Sequence, residues 1–299
     1  MIGALTKERK IGKLLSGERI YNVPPYQRSY SWGNKQWHSL WSDLTSVPAS
    51  EHFLGFIVLA EGESKSGADS YVIVEGQQRF TTILILLAAI RDRYVNADQK
   101  QRAETITETY LHVGDGKNKK YRLVYETGTK PDYETIIDGS SNQHPDSLLT
   151  NAYQYFYEQL EELGMSRIRH LQHRLLEEVS VIEVVTETEE DAFRLFAPSP
   201  DRRAPLDKTA QIKNIFLSAA ADDPKIDFSQ VLKTWQAATA TGDKFNETVL
   251  RQYLHNSNEI MDEDVENKGL VAAYSEVVDS RCGDNLLQFI HGLAERNYT

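Results

Sequence analysis

One cysteine, Cys282, stands in 299 residues. That excludes a disulfide framework within the chain and any zinc site built from several cysteines. Long apolar runs are missing too. The longest, residues 83–90, falls far short of the roughly 20 residues that span a bilayer and reads as a buried helix. The charged start, Lys7-Glu8-Arg9-Lys10, has no apolar stretch behind it, so neither a secretory signal nor a membrane partner is expected, and the expected address is the cytoplasm. No Gly-x-x-x-x-Gly-Lys-Ser/Thr pattern occurs, which excludes a P-loop enzyme. There is no internal repeat and no low-complexity tract.

Positive charge is also scarce. A formal net charge of −11 argues against a protein that coats nucleic acid by bulk attraction. The charge is uneven, however: residues 1–43 hold seven Lys/Arg against three Asp/Glu, leaving the excess of acid to the rest of the chain. A second basic run comprises Lys117, Lys119, Lys120 and Arg122, with Tyr121 inside it. Such runs are either solvated faces or local anion sites.

What is present is a hydrophobic content of 40% and enough length for two domains. Residues 4–20 read as a short helix and its exit, and residues 20–23 as a strand stopped by Pro24-Pro25. Trp37, Leu40, Trp41 and Leu44 have amphipathic helical spacing. Residues 53–59 and 71–74 read as strands joined by a polar, glycine-containing loop, and residues 77–94 as a long apolar helix. Residues 121–125 and 179–185 suggest further strands. Helices are expected over 132–137, 151–163, 208–221, 228–239, 246–255 and 270–278. The composite is an α+β nucleus followed by a mostly helical C-terminal half. Residues 140–147 form the best linker, which divides the chain into 1–140 and 141–299, with the strand at 179–185 able to return to the first domain.

The most informative segment is Tyr71-Val-Ile-Val-Glu-Gly-Gln-Gln-Arg-Phe-Thr-Thr82. A β-branched strand runs into a glycine and directly into a helix, whose first N–H groups favour an anion. Gly76 allows the turn, Arg79 can fork onto phosphate oxygens, Thr81 and Thr82 add hydroxyls, and Glu75 can hold a metal ion or polarise water. Equally, Glu75 and the glutamines can cap the helix while Arg79 pairs with a surface carboxylate. The second segment is Val23-Pro-Pro-Tyr-Gln-Arg-Ser-Tyr-Ser-Trp32. Here Gln27 and Arg28 sit among Tyr26, Tyr30 and Trp32, as a phosphate-binding arginine beside stacking rings or as an aromatic lid over the core.

Taken together, Pro-x-Tyr-Gln-Arg-x-Tyr-x-Trp and, about fifty residues on, Glu-Gly-Gln-Gln-Arg-Phe-Thr-Thr resemble the N-terminal domain family of GmrSD-type restriction enzymes. A looser third match runs through Ala192-Phe-Arg-Leu-Phe196, Asp201-Arg-Arg-Ala-Pro-Leu206 and Ile212-Lys-Asn214. The resemblance covers about residues 10–220. It implies a ParB/sulfiredoxin-like nucleus and a nucleotide pocket lined by Gln27, Arg28, Gln77, Gln78 and Arg79. Tyr26, Gly76, Thr81 and Thr82 complete the expected nucleotide-binding set, with Arg202, Lys213 and Asn214 in support. The implied cofactors are a nucleoside triphosphate, with GTP suggested by the family, and Mg2+.

In that reading Arg28 and Arg79 stabilise transition-state charge while Glu75 or a glutamine such as Gln78 orients water. No residue is assigned to a resident metal. Glu75 replaces the family's usual Asp, Pro200 its Asn and Arg203 its Gly. Many relatives continue into an HNH nuclease domain, whose motif is not visible here. His255 and His291 lack its pattern, and His170 and His173 fall on an amphipathic helix. The expectation is therefore a nucleotide-hydrolysing sensor of a modification-dependent anti-phage restriction system, working with a nuclease domain or subunit and modified DNA. The alternatives are a non-catalytic DNA-binding module and a structural adaptor.

Overall fold

A computed structural model describes residues 4–24, 27, 29–45, 52–64, 67–126, 130–139, 147–196, 208–223, 225–239, 247–256, 269–280 and 284–295. The long apolar run becomes the central helix, α3 (Gln77–Asn96), in which residues 83–90 are all buried to 2% exposure or less. A helix apolar on every side needs cover all round. A mixed sheet supplies part of it, built from β1 (Ala4–Lys10), β2 (Arg19–Val23), β3 (His52–Glu61), β4 (Asp69–Glu75), β7 (Leu123–Tyr125) and β8 (Val179–Thr186). Helices α2 (Asn34–Thr45), α5 (Lys130–Ile137), α6 (Leu148–Glu161) and α7 (Met165–His173) contribute to the same core. Trp37, Trp41, Phe156 and Ile168 are buried there with α3.

The strand order is β1-β8-β3-β4-β2-β7. β8 pairs antiparallel with β1 and parallel with β3, β3 and β4 are antiparallel, and β2 runs parallel to both β4 and β7. The sheet is thus α+β in character, and β8 does return to the strands of the N-terminal half. Glu183 of β8 is buried between Arg9 and Arg19, the latter at 2.6 Å, so a charge triad ties β1, β2 and β8 together.

Two expectations need correction. Residues 4–10 are an edge strand rather than helix, and the helix that follows, α1 (Ile11–Leu14), is a single turn. The side chains of residues 4–8 are exposed and carry no periodic signal, so pairing along seven residues of β8 decides their conformation. Residues 121–125 are likewise not one strand. Lys120–Tyr121 (β6) pairs with His112–Val113 (β5), whereas β7 joins β2. Arg122 lies between them, 1% exposed, and donates to the carbonyls of Gly17, Arg19, Thr109 and His112 at 2.6–3.0 Å. The second basic run is therefore no uniform solvated face: its arginine is a buried strut. A short helix, α4 (Lys100–Ile106), runs on as a π-helical turn, Thr107–Leu111, and leads into β5.

Contacts divide the chain into two units, residues 1–24 with 29–189, and residues 25–28 with 190–299. The second is helical among its described residues: α8 (Glu189–Phe196), α9 (Lys208–Asp222), α10 (Phe228–Thr239), α11 (Glu247–Asn256), α12 (Leu270–Asp279) and α13 (Asp284–Glu295). Phe216 packs against Trp235, Tyr274 and Phe289 at its centre. No helix among the described residues is long and apolar enough to cross a membrane. Cys282 and most of the expected linker, residues 140–146, lie outside the described residues.

Candidate functional site

The strand–glycine–helix corner forms as the sequence predicts. β4 ends at Glu75, α3 begins at Gln77, and Gly76 between them adopts φ 97°, ψ 5°. A Cβ on Gly76 would lie 2.5 Å from Ile57 Cδ1 and 3.1 Å from the Phe56 carbonyl, so both conformation and space demand glycine. Gly76 has no side chain with which to cap the helix it starts. The start of α3 therefore lacks the hydroxyl or carboxylate that Ser, Thr, Asp or Asn would bring to the positive end of its dipole, and Gly76, Gln77 and Gln78 are all buried there.

The next three side chains each fasten a different segment. The Gln77 amide, 4% exposed, hydrogen-bonds the Tyr125 phenol of β7. Gln78 holds the first motif: the Ser31 N–H donates to its Oε1 at 2.8 Å, and its Nε2 donates to the Ser29 carbonyl at 3.3 Å. Arg79 turns to β3, donating to the carbonyls of Leu54 and Phe56, the latter at 2.9 Å, with Glu75 Oε1 at 3.7 Å from its Nη2. Glu75 itself is exposed, and the Arg79 side chain is about one-quarter exposed.

Thr81 and Thr82 are fully buried and form the layer beneath. Each hydroxyl donates back to the carbonyl four residues earlier, on Gln77 and Gln78. With its proton so used, Thr81 accepts from Tyr125 at 2.6 Å and Thr82 from Tyr30 at 2.7 Å. Tyr30 in turn accepts the indole N–H of Trp37. Burial raises the pKa of both phenols, that of Tyr125 to about 12, so they are donors at neutral pH. The threonines thus brace the helix start from inside the core rather than offering hydroxyls to solvent.

The structure therefore joins the end of the first motif, Ser29–Ser31, to the first turn of α3. Tyr26 and Arg28 lie outside the described residues, as do Arg202, Pro200 and Arg203, so the expected meeting of Arg28 with Arg79 does too. Gln27 is half-buried and groups with the second unit. Lys213 (buried) and Asn214 (half-buried) stand on α9 of that unit. Sequence reasoning missed Gly55, Tyr125 and the role of Tyr30. Tyr30 carried a signal in its place within the first motif, and Gly55 in the stretch Phe53-Leu-Gly-Phe-Ile-Val-Leu59, which also resembles the family. Among the described residues no three His, Cys, Asp or Glu side chains gather as a metal centre.

Fold and corner together define a class: an α+β domain with a glycine-led helix start and a cation in the first turn of that helix. Residues 11–217 match the family of the GmrSD restriction endonuclease, N-terminal domain. The match spans more than half of the chain, which belongs to this family and so to a module of restriction, phage-defence systems. No curated protein matches the chain.

Proposed function

We propose that the chain is a nucleoside-triphosphate-binding and -hydrolysing sensor, with the phosphates seated at the start of α3. The observation that carries this reading is the uncapped corner at Gly76, with Arg79 in the first turn and the exposed carboxylate of Glu75 at its rim. The helix dipole and the guanidinium favour the phosphate charge that builds in the transition state. Both glutamine side chains are engaged with neighbouring segments, so the water-orienting role falls to Glu75. Arg28, Gln27 and Tyr26 enter through the family motif, and guanine is the base that the resemblance suggests. Mg2+ fits as an ion that arrives with the nucleotide, since the exposed Glu75 supplies a carboxylate beside Arg79 and magnesium takes much of its coordination from phosphate and water. When bound, it would neutralise phosphate charge. Modified DNA and a nuclease domain or subunit are the partners this reading assigns.

A second reading, a non-catalytic DNA-binding or adaptor module, is favoured by the engagement of Arg79 with two carbonyls. Turnover of labelled GTP and ATP decides between them. Hydrolysis above background that Arg79→Ala removes supports the first. Absence of turnover, together with DNA binding that falls steeply with salt, supports the second.

A further inference from the structure

We infer that Gln78 is a positioning residue, whose side-chain amide serves as the β-like neighbour of Ser29–Ser31 and thereby fixes a wall beside the start of α3. One carboxamide accepts from the N–H of residue 31 and donates to the C=O of residue 29. That is the bonding which a strand partner makes to residues i and i+2. Tyr30, between them, points into the core at 5% exposure and bonds Thr82, four residues after Gln78 and so on the same face of α3. Three hydrogen bonds from one face of a helix thus pin three consecutive residues whose own backbone belongs to no strand. Gln78 is buried to 9% exposure, and the two bonds hold both ends of its amide on Ser29 and Ser31, so its carboxamide is fixed toward that segment rather than turned out to solvent.

The consequence separates two roles that the motif alone cannot. A water-orienting glutamine acts on the rate of a bound nucleotide. A positioning glutamine acts on how well the nucleotide is held, because the wall formed by Ser29–Ser31 is disordered without it. This functional half rests on the nucleotide reading above; the structural half does not.

The test is hydrogen exchange at the Ser31 amide, measured beside nucleotide KM and single-turnover rate at saturation, in wild type, Gln78→Met and Tyr30→Phe. Gln78→Met keeps the side-chain length and loses both bonds; Tyr30→Phe loosens the same segment from its other side. Expected are Ser31 exchange about tenfold or more faster in Gln78→Met, a rise in KM of similar size in both variants, and a saturating rate within about threefold of wild type. If Gln78→Met does not fold, Gln78→Leu carries the same test, since it too is a good helix former and loses both bonds. Unchanged Ser31 exchange overturns the inference, as does a saturating rate that falls a hundredfold at unchanged KM. Should wild type neither bind nor turn over nucleotide, the functional reading fails, and Ser31 exchange alone still decides whether Gln78 positions the segment.

Discussion

Arg79 Nη1 fills the space that a side chain on Gly55 would need. A Cβ built there would lie 2.2 Å from that nitrogen, and Gly55 has φ 96°. The guanidinium holds the carbonyls on either side of this glycine, those of Leu54 and Phe56. In the pairing of β3 with β8 the register shifts between Phe53 and Phe56, so Arg79 fastens a bulge in the strand beside the helix start.

Gly55→Ala is accordingly expected to cost about 2 kcal/mol or more in chemical denaturation, because an L-residue in the left-handed region costs roughly 1–2 kcal/mol before any clash. Combined with Arg79→Ala the two losses should be sub-additive, since the second change removes the clash that the first creates. Strict additivity would mean that the two residues do not share this space.

Arg79→Ala is expected to have two separable effects. Stability should fall by about 1–3 kcal/mol as two strand carbonyls lose their donor. Turnover per folded molecule should fall a hundredfold or more, about 2–4 kcal/mol of transition-state stabilisation. Single-turnover hydrolysis and thermal unfolding, measured together, separate them. Arg167→Ala, at an exposed position of α7, is the control.

Arg122 would be a poor control despite its place in a basic run. It is 1% exposed and serves four carbonyls from two stretches of the chain, residues 17–19 and 109–112. Arg122→Ala is expected to cost roughly 3 kcal/mol or more, through several orphaned acceptors and a buried void. A loss below about 1 kcal/mol in denaturant unfolding would show that the strut is dispensable.

A pH dependence follows from His112. Burial, then the nearby Lys119, lower its pKa, outweighing Asp138 at 3.7 Å. The folded state therefore binds its proton less readily than the unfolded chain, whose histidines titrate near about 6.5. Stability from this group is present above that pH and is lost as the pH falls below it. His112→Asn should flatten the slope of unfolding free energy between about pH 7 and 5. An unchanged slope would assign the acid sensitivity to other groups.

The corner itself was legible in the sequence because backbone geometry writes itself locally: a β-branched run, one glycine, then apolar residues at helical spacing. β1 was illegible because its exposed residues take their conformation from a partner about 175 positions away. The partners of Gln78 and Arg79 were hidden for a different reason. Backbone carbonyls and amides accept and donate the same way at every residue, so nothing in Leu54, Phe56, Ser29 or Ser31 announces the bond. A polar motif can thus be recognised from sequence while the division between its ligand-facing and fold-fastening members cannot.

Whether phosphate sits at the start of α3 is decided by a crystal structure of the protein with a non-hydrolysable GTP analogue and Mg2+. Phosphate oxygens are expected within hydrogen-bonding distance of the backbone N–H groups between Gly76 and Arg79, with the Arg79 guanidinium directed at them. Nucleotide bound elsewhere on the chain, with that helix start empty, would contradict it.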